Sequence, residues 1–273
     1  MKLNELSNIT SGFDATPALP VLFVGHGNPM NAITENEFTR GWQQVGKSLP
    51  RFQALLCVSA HWETNGTFIT AMEKPRTIHD FYGFPKELFD VQYPAPGNPT
   101  LANETSRFVK RTNVGLDQNW GLDHGCWAVV KHLVPDAKIP VIEMSLDRNQ
   151  PAQWHYELAK ELAVLRRKGV LIIGSGNIVH NLPMMDWGSD NGFDWAAEAN
   201  EKLKRLISSN EHHHLANYKA LGKEIQLAVP TPEHYLPLLY VLALKEENEQ
   251  ATFFNDRIEL GSVSMTCVKI DKT

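Results

Sequence analysis

The sequence is poor in cysteine and has no long apolar run. Only three of its 273 residues are cysteine, at positions 57, 126 and 267, and no two of them form a CxxC pair. So few and so widely spaced thiols predict free cysteines in a reducing, cytoplasmic compartment. No apolar stretch approaches the ~20 residues that a bilayer-spanning helix needs. Residues 1–16 lack the basic start and apolar segment of a signal peptide, so we expect no membrane partner.

An excess of positive charge is also missing. Lysine and arginine together number 26 against 31 aspartates and glutamates, which gives a net charge of −5. Because this composition offers no basic surface, we expect no nucleic-acid partner. The chain has no internal repeat, low-complexity run or strong linker. It is therefore predicted to form one domain over residues 18–273, preceded by a polar N-terminal arm over residues 1–17.

Short apolar runs alternate with amphipathic helical segments. The run from Ala18 to Val24 predicts a buried strand that leads into Gly25-His26-Gly27. A helix over 35–49 and a second strand from Ala54 to Ala60 complete a unit whose parallel strands end at one sheet edge. The predicted fold class is therefore α/β, a single domain with a mixed, mostly parallel sheet flanked by helices and its site at the carboxyl edge of the strands. Further strands are predicted over residues 67–71, 139–146, 170–173 and, antiparallel at the sheet edge, 262–270, and further helices over 100–111, 128–133, 151–168, 195–208 and 232–244.

Histidine is the abundant residue type, with 11 copies. His26 follows the first predicted strand and His61 directly follows the second, so we expect both at the same edge and on adjacent strands. Two histidines in these equivalent positions would form half of a metal site. A lone histidine at a strand end is more often an ordinary loop residue, and that interpretation stays open for each.

Three further histidines lie at similar junctions. His124 lies near a predicted helix start, where a neutral imidazole could donate to a developing oxyanion or simply cap the turn. His180 follows a glycine-rich turn that matches neither phosphate-binding loop pattern. His234 is predicted in the first turn of a helix that Thr231 caps. A metal site needs several neutral imidazoles aimed at one point, and such junctions provide them.

The other histidines have weaker signals. His79 begins an aromatic loop with Phe81, Tyr82 and Phe84, which either plugs the edge of the core or walls a flat apolar ligand. His155, on the predicted helix 151–168, is interpreted as structural. The three histidines at 212–214 are interpreted as a solvated loop.

Six segments together resemble a known family. They are GHGNPMN around His26, SAHWE around His61, IHDFYGFP around His79, DHGCW around His124, SGNIVHN around His180 and PTPEHYLPLLY around His234. In this order, and over nearly the whole chain from about residue 19, they resemble the class III extradiol ring-cleavage dioxygenases, in particular the DOPA 4,5-dioxygenase type.

The resemblance implies a catalytic domain with one non-haem iron(II). His26, His61 and His234 correspond to the metal ligands, His180 to the catalytic histidine beside the metal, and His124 to a second catalytic histidine. The substrate would be a catecholic acid, which is opened with O₂ outside the diol after His180 takes a catechol proton and His124 donates to a substrate oxygen. Substrate-wall candidates are His79, Phe81, Tyr82 and Trp62, with Phe84. No basic residue for a substrate carboxylate is identifiable from the sequence, and Arg76 and Lys86 are the two considered.

The ligand set departs from the wider superfamily in one position. His234 stands where many members have a carboxylate of the two-histidine, one-carboxylate triad. Such a site would accept Zn(II) readily, so we expect Fe(II) for activity and Zn(II) in the purified protein, with His180 as a fourth ligand. Glu233 and Glu63 are the carboxylates that could enter the ligand shell instead.

Two alternative functions remain. A zinc-dependent hydrolase could use the same histidines to activate water, and a non-catalytic binding protein could retain the fold. Metal dependence separates them, because a dioxygenase needs Fe(II) and consumes O₂. The sequence predicts no oligomeric state and does not identify the physiological catechol.

Overall fold

A computed structural model describes residues 15–189 and 191–272 of the chain. Its strands are β1 (Val21–Gly25), β2 (Ala54–Thr64), β3 (Thr67–Thr70), β4 (Val114–Asp117), β5 (Val141–Asp147), β6 (Val170–Gly176), β7 (Glu249–Phe254), β8 (Ile258–Glu259), β9 (Val263–Ser264) and β10 (Cys267–Lys272). Its α-helices are α1 (Glu37–Ser48), α2 (Lys86–Phe89), α3 (Pro99–Phe108), α4 (His124–Leu133), α5 (Ala152–Ala159), α6 (Ala163–Arg166), α7 (Asp194–Ser208), α8 (His212–Ala216), α9 (Lys223–Ala228) and α10 (Leu236–Ala243).

One sheet organises the fold. Its eight strands lie in the order β4-β3-β5-β2-β6-β1-β10-β7, and β8 pairs separately with β9. The central strands β5, β2, β6 and β1 run parallel to one another, whereas β10 runs antiparallel to both β1 and β7. The predicted α/β domain with a mixed, mostly parallel sheet flanked by helices is therefore confirmed.

The central strands are buried on both faces. Val21 and Phe23 of β1 belong to one apolar core, and Leu22 and Val24 belong to the other. Successive side chains of a strand point to opposite faces, so each strand supplies both cores. This explains why the predicted strands read as continuous apolar runs. Helix α10, which is apolar on all sides, packs in the first core, and α1 and α4 pack in the second.

Strand order differs from the prediction near the site. β1 and β2 are not neighbours, because β6 lies between them and pairs in parallel with both. His61 does not follow β2 but lies within it, since the strand continues to Thr64. The C-terminal strand is also not at the sheet edge. β7 pairs with the outer side of β10 and forms that edge. β7 was not predicted, because its partly exposed residues give no regular apolar alternation.

Two helix predictions are corrected. The predicted helix 151–168 is divided by a 3₁₀ turn at Lys160–Leu162, where Glu161 accepts the backbone N–H of Arg111 at 3.1 Å. The helix predicted from residue 232 begins only at Leu236, so Thr231 is not its cap and His234 lies in the preceding turn. Pro237 explains the later start. It would interrupt the interior of the predicted helix, whereas proline is tolerated in the first turn.

The histidine run also differs from the prediction. Residues 212–216 form the short helix α8 rather than a solvated loop, and the His212 ring is buried with Nδ1 3.2 Å from the Tyr156 hydroxyl. Most of the predicted N-terminal arm, residues 1–14, lies outside the described residues. Within the described ranges, no helix combines the length and apolar character that crossing a membrane requires.

Candidate metal centre

Strand ends and one helix start deliver the histidines to a common place. His26 directly follows β1, His61 lies in the second half of β2, and His180 follows β6 by four residues. His124 is the first residue of α4, whose N-cap Asp123 accepts the backbone N–H of Cys126. Because the parallel strands end at the same edge, these side chains converge there, as the sequence predicts.

Two glycines allow the surrounding segments to approach closely. A Cβ on Gly176 would lie 2.1 Å from the carbonyl oxygen of His234, which accepts the Asn177 N–H at 2.9 Å. A Cβ on Gly125 would lie 2.8 Å from the His61 ring. Gly176, the last residue of β6, and Gly125, the residue after His124, therefore allow the histidine segments to come into contact.

All five predicted histidines cluster. The ring centroids of His26, His61 and His234 are nearly equidistant, with separations of 4.9, 5.3 and 5.0 Å. His124 lies 3.9 Å from His61 and 5.6 Å from His26. His180 stacks on His234 at 3.5 Å with an interplanar angle of 12°.

The Nδ1 atoms point away from the centre toward oxygen atoms. His26 Nδ1 lies 3.0 Å from the Ser175 hydroxyl, which itself donates to the Gly125 carbonyl at 2.5 Å and so accepts from His26. His234 Nδ1 lies 3.1 Å from Glu233 Oε1. Asp80 Oδ2 lies 2.9 Å from Nδ1 of His124 and 3.4 Å from Nδ1 of His61. Acceptors of this kind fix metal-ligating imidazoles in one tautomer.

The Nε2 atoms of His26 and His61 lie 3.1 Å apart. His26 carries its proton on Nδ1, and Asp80 faces Nδ1 of His61, so the Nε2 atom of each ring is unprotonated. The two Nε2 lone pairs therefore face each other across 3.1 Å. Two nitrogens that share one metal at about 2.0–2.1 Å would be separated by about 2.9–3.4 Å. The donor set and its spacing therefore fit a single metal ion.

Burial keeps four of the five imidazoles neutral, those of His26, His61, His180 and His234. It is the main cause that holds the pKa of His26 and of His234 well below the usual value, and neighbouring histidines add to the effect. The pKa of His61 falls to about 3, again mainly through burial, with His124 lowering it further and Asp80 opposing. Burial lowers the pKa of His180 to about 4. Neutral imidazole is the form that binds metals.

Two sets of three could hold the ion. The donor atoms of His26, His61 and His124 lie within 4.8 Å of one another, and so do those of His180, Glu233 and His234. The predicted ligands are thus divided between two adjacent groups, with His180 beside His234. Glu63 is half-buried, and its pKa is raised by burial and by Glu233.

The predicted wall residues occupy different environments. Phe81 packs edge-on against His124 with centroids 5.5 Å apart. Trp62 is buried and stacked on Trp120, and Tyr82 is 92% exposed. His79 Nε2 donates to the Val91 carbonyl at 3.0 Å among Phe81, Phe89 and Trp127. The two basic residues considered for a carboxylate are exposed, with Arg76 donating to Trp120 and Lys86 paired with Asp90.

Asp80 is a site residue that sequence reasoning missed, although it lies beside His79 in one of the matching segments. An aspartate in an aromatic loop has no distinguishing local pattern, so only its contacts identify it. A second missed group is the fully buried pair of Asp123 and Glu143, where the Asp123 N–H donates to Glu143 at 3.2 Å. Burial and the Asp123 charge raise the pKa of Glu143 well above its usual value.

Comparisons with known proteins identify the family of the chain. Residues 19–263 match the family described as "Catalytic LigB subunit of aromatic ring-opening dioxygenase". A protein of Escherichia coli (strain K12) named "4,5-DOPA dioxygenase extradiol" is 48% identical over 258 residues, which cover 92% of this chain and 94% of that protein. A Beta vulgaris protein of the same name is 33% identical over 259 residues, which cover 92% of this chain and 96% of that protein. The crystal structure of an uncharacterized protein from Escherichia coli K12 matches with a TM-score of 0.82 at 43% identity, covering 93% of this chain and 100% of that chain.

Proposed function

Because the chain belongs to the LigB family of aromatic ring-opening dioxygenases and is a metal-dependent extradiol dioxygenase, we propose that His26, His61 and His234 bind one iron(II) and that the enzyme opens a catecholic acid of the DOPA type. The observation that carries the proposal is the 3.1 Å separation of the His26 and His61 Nε2 atoms, with oxygen atoms facing both Nδ1 atoms.

Ring spacing favours His234 over His124 as the third ligand. Metal–nitrogen distances of about 2.0–2.1 Å place each ring centroid about 3.2 Å from the metal, and ligand angles near 100° then separate centroids by about 5 Å. The three separations among His26, His61 and His234 are 4.9, 5.3 and 5.0 Å. At 3.9 Å, His61 and His124 are closer than this geometry requires.

Bound there, the metal would hold the catechol oxygens beside O₂ and lower the pKa of the coordinated hydroxyl. His180 takes the remaining hydroxyl proton. Burial lowers its pKa to about 4, which keeps it neutral at pH 7 but makes it a weak base, so the transfer relies on the acidity that coordination would give the catechol. The same residue can return that proton to an oxygen of the opened product. Its stacking on His234 keeps it beside the ligands.

We assign His124 to the substrate side of the centre. Its Nδ1 lies 2.9 Å from Asp80 Oδ2. With a ring proton on Nδ1 facing that carboxylate, Nε2 can accept a hydrogen bond from a substrate hydroxyl, where the sequence predicts donation to a substrate oxygen. Phe81, edge-on to His124, is the wall residue best placed to contact the aromatic ring.

The substrate proposal comes from the relatives. Two similar proteins carry the name "4,5-DOPA dioxygenase extradiol", so DOPA or a related catecholic acid, cleaved at the 4,5 bond, is the proposed substrate. An all-histidine site also suits Zn(II), and we expect zinc in protein purified without added iron. The three free, buried cysteines support a reducing, cytoplasmic environment.

We also assign residues 18–273 to the catalytic domain and the preceding residues to an arm. Thr16 supports this, because its N–H donates to the Arg167 carbonyl at 3.0 Å and its hydroxyl accepts the Gly169 N–H at 3.2 Å.

Oxygen uptake tests the function. The protein is stripped of metal, reloaded anaerobically with Fe(II), and mixed with O₂ and DOPA, caffeate, protocatechuate or catechol. We expect stoichiometric uptake with a new visible absorption band, largest for DOPA or a related acid. Absence of uptake with every catechol, in protein that retains its iron, would favour the zinc hydrolase or the non-catalytic binding protein.

A further inference from the structure

We propose that Asp80 is a positioning residue that orients His61 and His124 together, so that a metal ligand and the substrate-side histidine share one carboxylate. This inference rests on the proposed function, because it places Asp80 in the same centre.

The contacts of Asp80 are directed at both rings. Its Oδ2 lies 2.9 Å from Nδ1 of His124 and 3.4 Å from Nδ1 of His61, and its Oδ1 accepts the backbone N–H of His124 at 2.9 Å. The Asp80 side chain is only 17% exposed. A carboxylate at these ion-pair distances favours the tautomer that carries the proton of each ring on Nδ1, which leaves both Nε2 atoms free for the centre.

The loop that carries Asp80 is itself anchored. The Ile78 N–H donates to the Leu122 carbonyl at 2.8 Å, and its carbonyl accepts the Trp127 indole N–H at 2.7 Å. Both partners flank or belong to α4, the helix that begins at His124. The carboxylate and one of its two histidines are therefore held by the same local framework.

Asp80 differs from the other groups that face a histidine Nδ1, because it faces two rings. Ser175 faces His26 and Glu233 faces His234, so each orients one ring. The rings of His61 and His124 are only 3.9 Å apart, and one carboxylate serves both. Removal of Asp80 should therefore disturb metal binding through His61 and substrate binding through His124 at once.

The test measures metal affinity separately from turnover. Metal-free wild type and the variant Asp80→Asn are titrated with Zn(II) and Co(II) against a chromophoric chelator, and the Co(II) absorption spectrum is recorded. We expect the variant to bind 10- to 100-fold more weakly, the loss typical for a missing outer-shell partner. We also expect an altered Co(II) spectrum, and after iron loading a lower kcat and a higher KM for the catechol.

Asp90→Asn is the matched control. Asp90 carries the same charge in the same connection between β3 and α3, but it is exposed and pairs with Lys86. The Asp90→Asn substitution should leave the metal affinity, the Co(II) spectrum and the kinetics with the catechol unchanged. The proposal is overturned if Asp80→Asn binds metal with wild-type affinity and shows the wild-type Co(II) spectrum, provided that the wild-type protein prepared alongside it is active. A second test needs no variant. Nitrogen NMR of the zinc-loaded wild type would also overturn the proposal if it showed that Nδ1 of His61 and of His124 is unprotonated. Failure of the wild type to consume O₂ would instead reject the proposed function.

Discussion

The imidazole of His180 lies flat on that of His234, with centroids 3.5 Å apart and planes inclined by only 12°. The two residues come from different parts of the chain, one after β6 and the other before α10. The backbone N–H of Asn177, three residues before His180, donates to the His234 carbonyl at 2.9 Å and ties these segments together. A proposed proton acceptor is thereby held beside a proposed metal ligand.

Replacing His180 should separate catalysis from metal binding. In His180→Ala the ligands His26, His61 and His234 remain, so we expect near-normal metal content. Turnover should fall by about 10²- to 10⁴-fold because the general base is lost. Metal analysis and oxygen uptake on the same sample measure both quantities. His213→Ala, at an exposed histidine, should change neither. Turnover close to that of the wild type would remove His180 from the base role.

The convergence of the histidines could be predicted because it follows from local pattern. His26 and His180 follow apolar runs that end in glycines, and parallel strands end at one edge whatever their order. The order itself could not be predicted. Nothing in the segments around β1 and β2 indicates that β6 inserts between them, because strand pairing depends on long-range packing.

Other features had weak or misleading local signals. β7 alternates poorly because much of it is exposed, and Asp80 is identified only by its contacts. Thr231-Pro232 resembles a helix start, yet Pro237 delays the helix to Leu236. That proline is visible in the sequence and could have corrected the prediction. Asp80 had no comparable signal.

A buried ion pair should dominate the stability of one end of the fold. Arg166 and Glu249 are both nearly inaccessible, and Arg166 also donates to the carbonyl of Leu19 at 2.8 Å. In Glu249→Gln the guanidinium stays buried without its counter-charge. We expect a loss of about 3–5 kcal/mol in the free energy of unfolding, measured in urea. Glu157→Gln breaks an exposed pair with Lys160 and should cost less than about 1 kcal/mol. If both variants lose a similarly small amount of unfolding free energy, other groups must compensate the buried charge of Arg166 in Glu249→Gln.

His155 should make the metal-free protein sensitive to acid. Its Nε2 donates to the Asp147 carbonyl at 3.2 Å and its Nδ1 accepts from the Tyr240 hydroxyl at 3.0 Å, so the neutral ring is satisfied. Burial lowers its pKa in the folded protein to about 4, below the unfolded value of 6.5. The unfolded chain therefore binds the proton first, and stability present above pH 6.5 is lost as the pH falls toward 4.

The variant His155→Gln isolates that contribution. Glutamine can donate and accept in similar directions but does not titrate. Between pH 7.5 and pH 4.5 the wild type should lose about 2–3 kcal/mol more unfolding free energy than the variant. Urea unfolding of metal-free protein at both pH values gives the difference, and the remaining histidines cancel because both proteins contain them. Equal losses in the two proteins would contradict the folded-state pKa of His155.

The third metal ligand can be decided by a pair of substitutions. His234→Ala and His124→Ala each remove one imidazole next to His26 and His61. The near-equal ring separations of 4.9, 5.3 and 5.0 Å lead us to expect that loss of His234 weakens Zn(II) binding by more than about 100-fold, beyond the effect of an outer-shell change. Loss of His124 should leave metal content near normal and lower turnover. Chelator competition and oxygen uptake on both variants make the comparison. The reverse result would assign the metal to His26, His61 and His124, whose donor atoms lie within 4.8 Å of one another, and would leave His234 with His180 on the substrate side.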